Sequence, residues 1–384
     1  MKGHGMAVTE LLAALVGFPT VSRDGNLALL DWLEARLAPL SPRLRRFPSP
    51  CGTKANLLAS IGPDAPGGLL LSGHTDVVPT DGQAWLADPF VLRDLGGRLT
   101  GRGACDMKGF LACCLHAAPA LASLPLRRPI HLAFSYDEEL GCTGVGPMAE
   151  WAGAHLAPGL AVIGEPSLMQ VVHAHKGGLI GWITVTGRPG HSSQPDRCVN
   201  AVMAAAECIA RFSRLGESFR AGPRDAAFDP PYSTTQVNRV EGGNGGNIVA
   251  ETCRFFWEMR VLPGVDDRAV LAGLERQVAA EVLPAMQAVA PDSGVRFDVQ
   301  ARIIALAANE AAFEARLLGL LGQERASAVP YGSEAGIFQK AGMPAVILGP
   351  GSIAQAHQPE EWVDASQLDA CVEALGVLAR GYCT

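Results

Sequence analysis

Four short apolar runs, each ending on a histidine or a carboxylate, constrain this chain more than any other feature. Leu69-Leu70-Leu71 leads into Gly73-His74-Thr75-Asp76, Ile130 to Phe134 into Ser135-Tyr136-Asp137-Glu138-Glu139, and Leu160 to Ile163 into Gly164-Glu165-Pro166. Ala345 to Leu348 leads through a Gly-Pro-Gly-Ser turn to His357. Runs of this length bounded by Gly and Pro read as buried strands of a parallel sheet, and ligands on such sheets gather beyond the carboxyl ends of the strands. His74, Glu139, Glu165 and His357 are therefore expected to meet. Asp106 joins them from a glycine-rich turn, Gly101 to Gly109, which opens a helical stretch reaching Leu121. Two histidines and three carboxylates can hold two divalent metals.

At 384 residues and 48% hydrophobic composition the chain can bury a large core, and its length favours two domains over one. The net charge of -7 is mild and no basic run occurs, so neither a nucleic-acid surface nor an anionic-membrane patch is indicated. Ten cysteines without CxxC pairing suit reduced thiols in a cytoplasmic protein, and Cys113-Cys114 reads as core packing. The first residues read as an amphipathic helix interrupted by Glu10, with Met6 an alternative start and Met1 to Gly5 an extension. No apolar run approaches the roughly 20 residues needed to cross a bilayer.

Residues 1–177 alternate helical patterns, near Val8 to Leu15 and Leu27 to Leu37, with the strands already named. That alternation predicts an α/β fold, a mainly parallel sheet with helices on both faces. The pattern then changes. Leu179 to Gly187 reads as a strand, Val199 to Phe212 as a helix, Thr234 to Val240 and Asn247 to Val261 as strands, Ala269 to Val282 as a helix, and Val295 to Ala301 as a strand. This order is that of a ferredoxin-like α+β unit, inserted over residues 178–301. Residues 302–384 resume the first pattern and complete the catalytic domain. The Gly-rich stretch Glu241 to Asn247 reads as an elaborate hairpin loop.

Catalytic zinc takes about three ligands from His, Glu or Asp and leaves a position for water. Two metals sharing a carboxylate need five residues: His74 and Glu165 on one, Glu139 and His357 on the other, Asp106 between them. Asp76 could accept the second N–H of His74 as its orienter. Neighbouring side chains in extended backbone point opposite ways, so only one of Glu138 and Glu139 comfortably faces the metal. Glu138 is then left to take a proton from metal-activated water, which permits amide hydrolysis without a covalent intermediate. Singly each residue has a bland alternative: a helix cap for Asp106, a solvated strand end for the tandem glutamates, a loop hydrogen bond for either histidine. Together, all at strand ends, they point to a metal site. His173 and His175 share a strand face without a third ligand and read as structural, and His116 and His131 read as core or interface residues.

The motifs GHTDVVP, GRGACDMKGF, DEELGCTG, IGEP, HKGG, GHSSQPD and LGPGSIAQAHQPEEWV, spread over nearly the whole chain, resemble the co-catalytic zinc amidohydrolases. That family includes acetylornithine deacetylase, succinyl-diaminopimelate desuccinylase and the glutamate carboxypeptidases. The Cys105 to Phe110 stretch, LAFSYDEELGC and GSIAQAHQP are most similar to the acetylornithine deacetylase branch. The resemblance implies a zinc-aminopeptidase-like fold, two divalent metals (zinc first, cobalt as a substitute), Glu138 as the base, and a homodimer formed through the inserted domain. It also implies that His191 reaches toward the site, often that of the partner subunit, to stabilise an oxyanion, against a plain turn role. Arg260 resembles the arginine that binds the substrate carboxylate, against a solvated strand residue. Asn247 either assists there or shapes its loop. Glu334 either pairs with an ornithine ammonium or sits in a helix's first turn for its dipole alone.

The sequence departs from the family pattern at Gly245 to Ala250 and at Ser333-Glu334-Ala335, where a substrate's far end is read. The resemblance implies a small N-acyl amino acid as substrate, N2-acetylornithine first, and these departures bear on its side-chain pocket. Succinyl-diaminopimelate, acetylcitrulline or a dipeptide are rivals within the class, and a catalytically silent binding protein is the rival outside it.

Overall fold

The computed structural model describes residues 6–384, so the expected extension Met1 to Gly5 lies outside the described residues. The chain divides into two compact units. The first runs to Ala174 and resumes over Leu306–Ala328 and Ser333–Thr384. The second comprises His175–Ala305 and Val329–Gly332, against an expected 178–301. Its start follows from hydrogen bonding: the Lys176 N–H donates to the Val329 carbonyl, and the Lys176 ammonium to the carbonyls of Pro230 and Tyr232.

The first unit is built on eight strands in the order Arg43–Pro48, Ala55–Ile61, Ile130–Ser135, Leu69–His74, Leu160–Ile163, Ala345–Ile347, Val172–His175, Ser327–Val329. The four apolar runs of the sequence are its parallel centre. Every residue in these four strands is buried, which is why they read as continuous rather than alternating runs. Leu69, Leu71, Leu160, Val162 and Val346 join a core with the helices Val8–Val16, Leu27–Leu37, Lys108–Ala122 and Ala365–Cys383. Leu70, Ala161, Ile163, Ala345 and Ile347 alternate with them and are equally buried on the opposite face. The first strands were not anticipated as antiparallel partners. Arg43–Pro48 pairs antiparallel with Ala55–Ile61 at the sheet edge, and its three arginines and Pro48 discourage further pairing.

The second unit is a four-stranded antiparallel sheet in the order Thr234–Gly242, Thr252–Val261, Gly177–Thr186, Gly294–Ile303. The helices Ala201–Ala221, Asp267–Glu281 and Leu283–Val289 complete it. Asn200 and Asp266 cap the first two of these helices, each accepting backbone N–H groups of the first turn. Along Thr252–Val261 the side chains of Cys253, Phe255, Trp257 and Met259 are buried with Phe212, while Arg254, Glu258 and Arg260 occupy the other face. The expected single strand over Asn247 to Val261 breaks in two. Ile248–Val249 leaves the sheet to pair with Gly190–His191 as a separate ribbon. His116, expected in a core or interface, is exposed on its helix and donates from Nδ1 to the Met6 carbonyl. His131 is buried between Ser60 and the Gly67 carbonyl.

Candidate metal centre

Parallel register brings the site together. Ser72 pairs with Ile163, so His74 and Glu165, each two residues further on, emerge level at the carboxyl ends of adjacent strands. His74 itself pairs with Ser135, the last residue before the turn that carries Glu138 and Glu139. Asp106 arrives from the turn preceding Lys108–Ala122, and His357 from a loop after Ala345–Ile347.

Asp106 sits between the two imidazoles. Its Oδ1 is 2.9 Å from His74 Nε2 and its Oδ2 3.1 Å from His357 Nε2. Glu139 Oε2 lies 3.0 Å from His357 Nε2, and Glu165 Oε1 4.0 Å from His74 Nε2. One atom each of His74, Asp106 and Glu139, and again of His74, Glu138 and Glu165, fall within 4.8 Å of one another. The expectation that Glu138 and Glu139 point opposite ways therefore fails. The chain has left the strand, Asp137 adopts a left-handed φ of 57°, and both carboxylates turn toward the cluster with different partners.

The electrostatics follow from burial and from the charges that face one another. Burial pushes the carboxyls of Glu138, Glu139 and Glu165 above their usual range, and the neighbouring carboxylates push them further. Burial also opposes ionisation of Asp106, yet hydrogen bonds from His357 and His74 hold it below the usual range. The same contacts with Asp106 and Glu139 push His357 up to about 11, and Asp106 raises His74 despite complete burial. The buried carboxylates call for positive charge beside them, which divalent cations would supply. Glu165 Oε1 is buried with no hydrogen-bond partner among the described residues, as a cation's ligand would be in the protein alone. Ligand atoms of a tetrahedral ion stand about 3.3 Å apart, close to the separations seen here. The residues fit the group.

Asp76 does not orient His74 in the expected way. His74 Nδ1 donates to the Asp76 backbone carbonyl at 2.8 Å, while the carboxylate stands 3.7 Å off. That carboxylate accepts the Ser22 hydroxyl and faces the backbone N–H groups of Glu138 and Glu139 at 3.3 and 3.4 Å, so it supports the tandem-glutamate turn instead. Glu334 is buried beside the cluster, 1% exposed, where Ser135 donates to one of its oxygens. Burial raises its carboxyl to about 7. Its Oε1 is buried with no hydrogen-bond partner among the described residues. His173 pairs with Glu314, and His175 is buried with Nδ1 donating to the Lys176 carbonyl. Sequence reasoning passed over Glu361, whose carboxylate gathers three backbone N–H groups of the Asp106 turn. Its position four residues after His357 was the available signal.

In the second unit, His191 and Asn247 are brought together on the Gly190–His191 ribbon, where Ser192 N–H donates to the Asn247 carbonyl. His191 is exposed, and its Nδ1 accepts the Ser193 N–H at 3.2 Å and lies 2.7 Å from the Ser193 hydroxyl. An acceptor Nδ1 places the ring proton of the neutral imidazole on Nε2, pointing a donor outward. Arg260 is 38% exposed and meets Glu258 at 3.2 Å, a surface pair that leaves most of its donors to other partners.

Comparison with known proteins agrees with this chemistry. Residues 70–380 match peptidase family M20/M25/M40. Acetylornithine deacetylases of Myxococcus xanthus and Yersinia pestis are 35% and 34% identical to the chain, covering 98% and 97% of both partners in each pair. Among solved structures, the M20 metallo-carboxypeptidase Sso-CP2 of Sulfolobus solfataricus superimposes with a TM-score of 0.78 at 19% identity, over 98% of this chain and 99% of that one. Human carnosine dipeptidase 1 follows the same fold with a TM-score of 0.69 at 16% identity, over 97% and 96%. A strand-end cluster that calls for divalent cations, a carboxylate pair beside it and a match along most of the chain place this protein in peptidase family M20/M25/M40, as a metal-dependent amidohydrolase.

Proposed function

We propose that the chain removes the acyl group of an N-acyl amino acid, N2-acetylornithine first, giving ornithine and acetate for arginine synthesis in the cytoplasm. The observation that carries the reading is Asp106, with one oxygen on each imidazole and Glu138 and Glu139 beside it. His74, Asp106 and Glu165 would hold one ion, and Asp106, Glu139 and His357 a second. Zinc is the first choice and cobalt its substitute. When bound, such ions lower the pKa of water and polarise the acyl carbonyl. Glu138 takes the proton of the attacking water and returns it to the leaving amine nitrogen. Its Oε1 accepts the Cys142 thiol at 3.2 Å, which holds the carboxylate in place. His191 donates from Nε2 to the oxyanion, and Arg260 grips the α-carboxylate with Asn247 shaping the loop beside it. A homodimer through the second unit completes the proposal. The strand Thr234–Gly242, an open edge of the second unit's sheet, supports it.

Relatives 34% and 35% identical are named acetylornithine deacetylase, which puts that substrate first in the test. The test is kcat/KM across N2-acetylornithine, N-succinyl-diaminopimelate, acetylcitrulline and dipeptides, with chelated and zinc-restored protein in parallel. Acetylornithine should lead, and chelation should abolish turnover. A higher kcat/KM for any rival reassigns the substrate, and turnover in rigorously metal-free protein ends the metal mechanism. A protein that binds zinc and hydrolyses none of them is the silent binding protein.

A further inference from the structure

Asp106 and His357 lie on separate loops, and one buried side chain ties those loops together. Glu361 is 1% exposed. Its Oε1 accepts the N–H groups of Cys105 at 2.9 Å and Asp106 at 3.0 Å, and its Oε2 accepts the Gly103 N–H at 3.0 Å and Arg102 Nη1 at 2.7 Å. Both oxygens thus face donors only, as an ionised carboxylate requires. The turn wraps its amides around this carboxylate much as backbone nests enclose an anion.

Arg102 carries the connection outward. Its side chain is fully buried, with the guanidinium 5.1 Å from the centre of the Trp85 ring, and Nη2 donates to Gln83 Oε1. Gln83 in turn donates from Nε2 to the His357 carbonyl at 3.2 Å. The Gly101 N–H closes the loop by donating to the Glu361 carbonyl at 2.9 Å. His357 and Glu360 both adopt left-handed backbone, with φ of 61° and 60°. Such backbone is sterically strained and persists only where its surroundings over-determine it. Here those surroundings are Gln83 on one side of His357 and Glu361 on the other.

We propose that Glu361, with Arg102, is a positioning pair that sets the span between Asp106 and His357, and through it the affinity for the ion shared by Asp106, Glu139 and His357. This rests on the two-ion reading above. His74 and Glu165 stand directly on strand ends in fixed register, so the other ion depends on this pair through Asp106 alone. The inference is therefore graded: the ion held by both Asp106 and His357 responds more than the ion held by His74, Asp106 and Glu165.

The experiment is a zinc titration by equilibrium dialysis of metal-stripped wild-type protein and Glu361→Gln, with cobalt absorption as a second readout and circular dichroism as the fold control. Gln keeps the size of the side chain but turns an NH2 toward the turn's donors. Wild-type protein should bind two ions per chain. Glu361→Gln should bind the ion of Asp106, Glu139 and His357 about 10–100-fold more weakly, the usual cost of losing a ligand's support, and the other ion less so. Adding His74→Ala to that variant should weaken that other ion further. Two ions at wild-type affinity in Glu361→Gln, or equal weakening of both, overturns the proposal, and fewer than two in the wild type removes the two-ion reading with it. If Glu361→Gln does not fold, Gln83→Ala carries the test, because it removes the clip to His357 and leaves Glu361 and its backbone contacts in place. A several-fold weakening of the same single ion is then expected, and an unchanged second affinity overturns the proposal.

Discussion

The Asp106 turn and the His191 ribbon both carry residues assigned to the reaction, and they are held in opposite ways. Asp106 is 5% exposed and its turn is fastened by a carboxylate, a buried guanidinium and parallel strands nearby. His191 stands exposed on a two-residue ribbon, steadied by Ser193. The ion-holding residues are built where the fold leaves little freedom, whereas the oxyanion donor stands where it can approach a substrate. Changes to the ion-holding residues and their supports should therefore move metal content, and changes in the second region should move rates alone.

The hardest test of that division is Glu138→Gln. An amide preserves the shape of the base but cannot take the proton, so kcat should fall about 10²–10⁴-fold, or roughly 3–5 kcal/mol of barrier. Metal content measured in parallel should stay near that of the wild type. Loss of metal together with rate would make Glu138 a ligand and blur the two roles.

His191→Ala should lower kcat about 10²–10³-fold, the usual loss for one oxyanion donor, while both ions remain. Steady-state kinetics beside metal analysis read the two effects separately. A drop in metal stoichiometry would break the comparison, since an exposed residue of the ribbon would then govern the buried cluster. Mixing His191→Ala with Glu138→Ala protein sharpens the result further: recovery of activity on subunit exchange means that His191 serves the partner's site.

The smallest expected effect is at Arg260. Removing a charge-assisted contact to a carboxylate costs about 1.5–3 kcal/mol, so Arg260→Ala should lower kcat/KM by roughly 10–100-fold, chiefly through KM. Comparing acetylornithine with an analogue lacking the α-carboxylate checks the assignment. If both substrates lose equally, Arg260 serves the sheet through Glu258 rather than the substrate.

Much of the molecule was legible in order of residues because burial on both faces leaves a parallel strand as one apolar run. The cluster at the ends of Leu69–His74, Leu160–Ile163, Ile130–Ser135 and Ala345–Ile347 was expected from those runs, and the strand-helix-strand-strand-helix-strand order of the second unit from its alternating strand and helix patterns. Local pattern failed where conformation is set by distant partners. Asn247 to Val261 is uniformly strand-like in composition, but its first part pairs with Gly190–His191 and breaks away. Glu138 and Glu139 look like alternating strand residues, but the left-handed Asp137 turns both inward.

By itself the sequence indicated the candidate ligand residues, the strands that lead to His74, Glu139 and Glu165, and a two-part organisation, because hydrophobic periodicity and residue chemistry are local properties. Only the tertiary structure decided which atoms meet. It gave Asp76 to the tandem-glutamate turn rather than to His74, buried Glu334 beside the cluster and made Glu361 the anchor of the Asp106 turn. Each of these outcomes is a contest among buried donors and acceptors for partners far apart in the chain, and it is settled by which unsatisfied group would cost most.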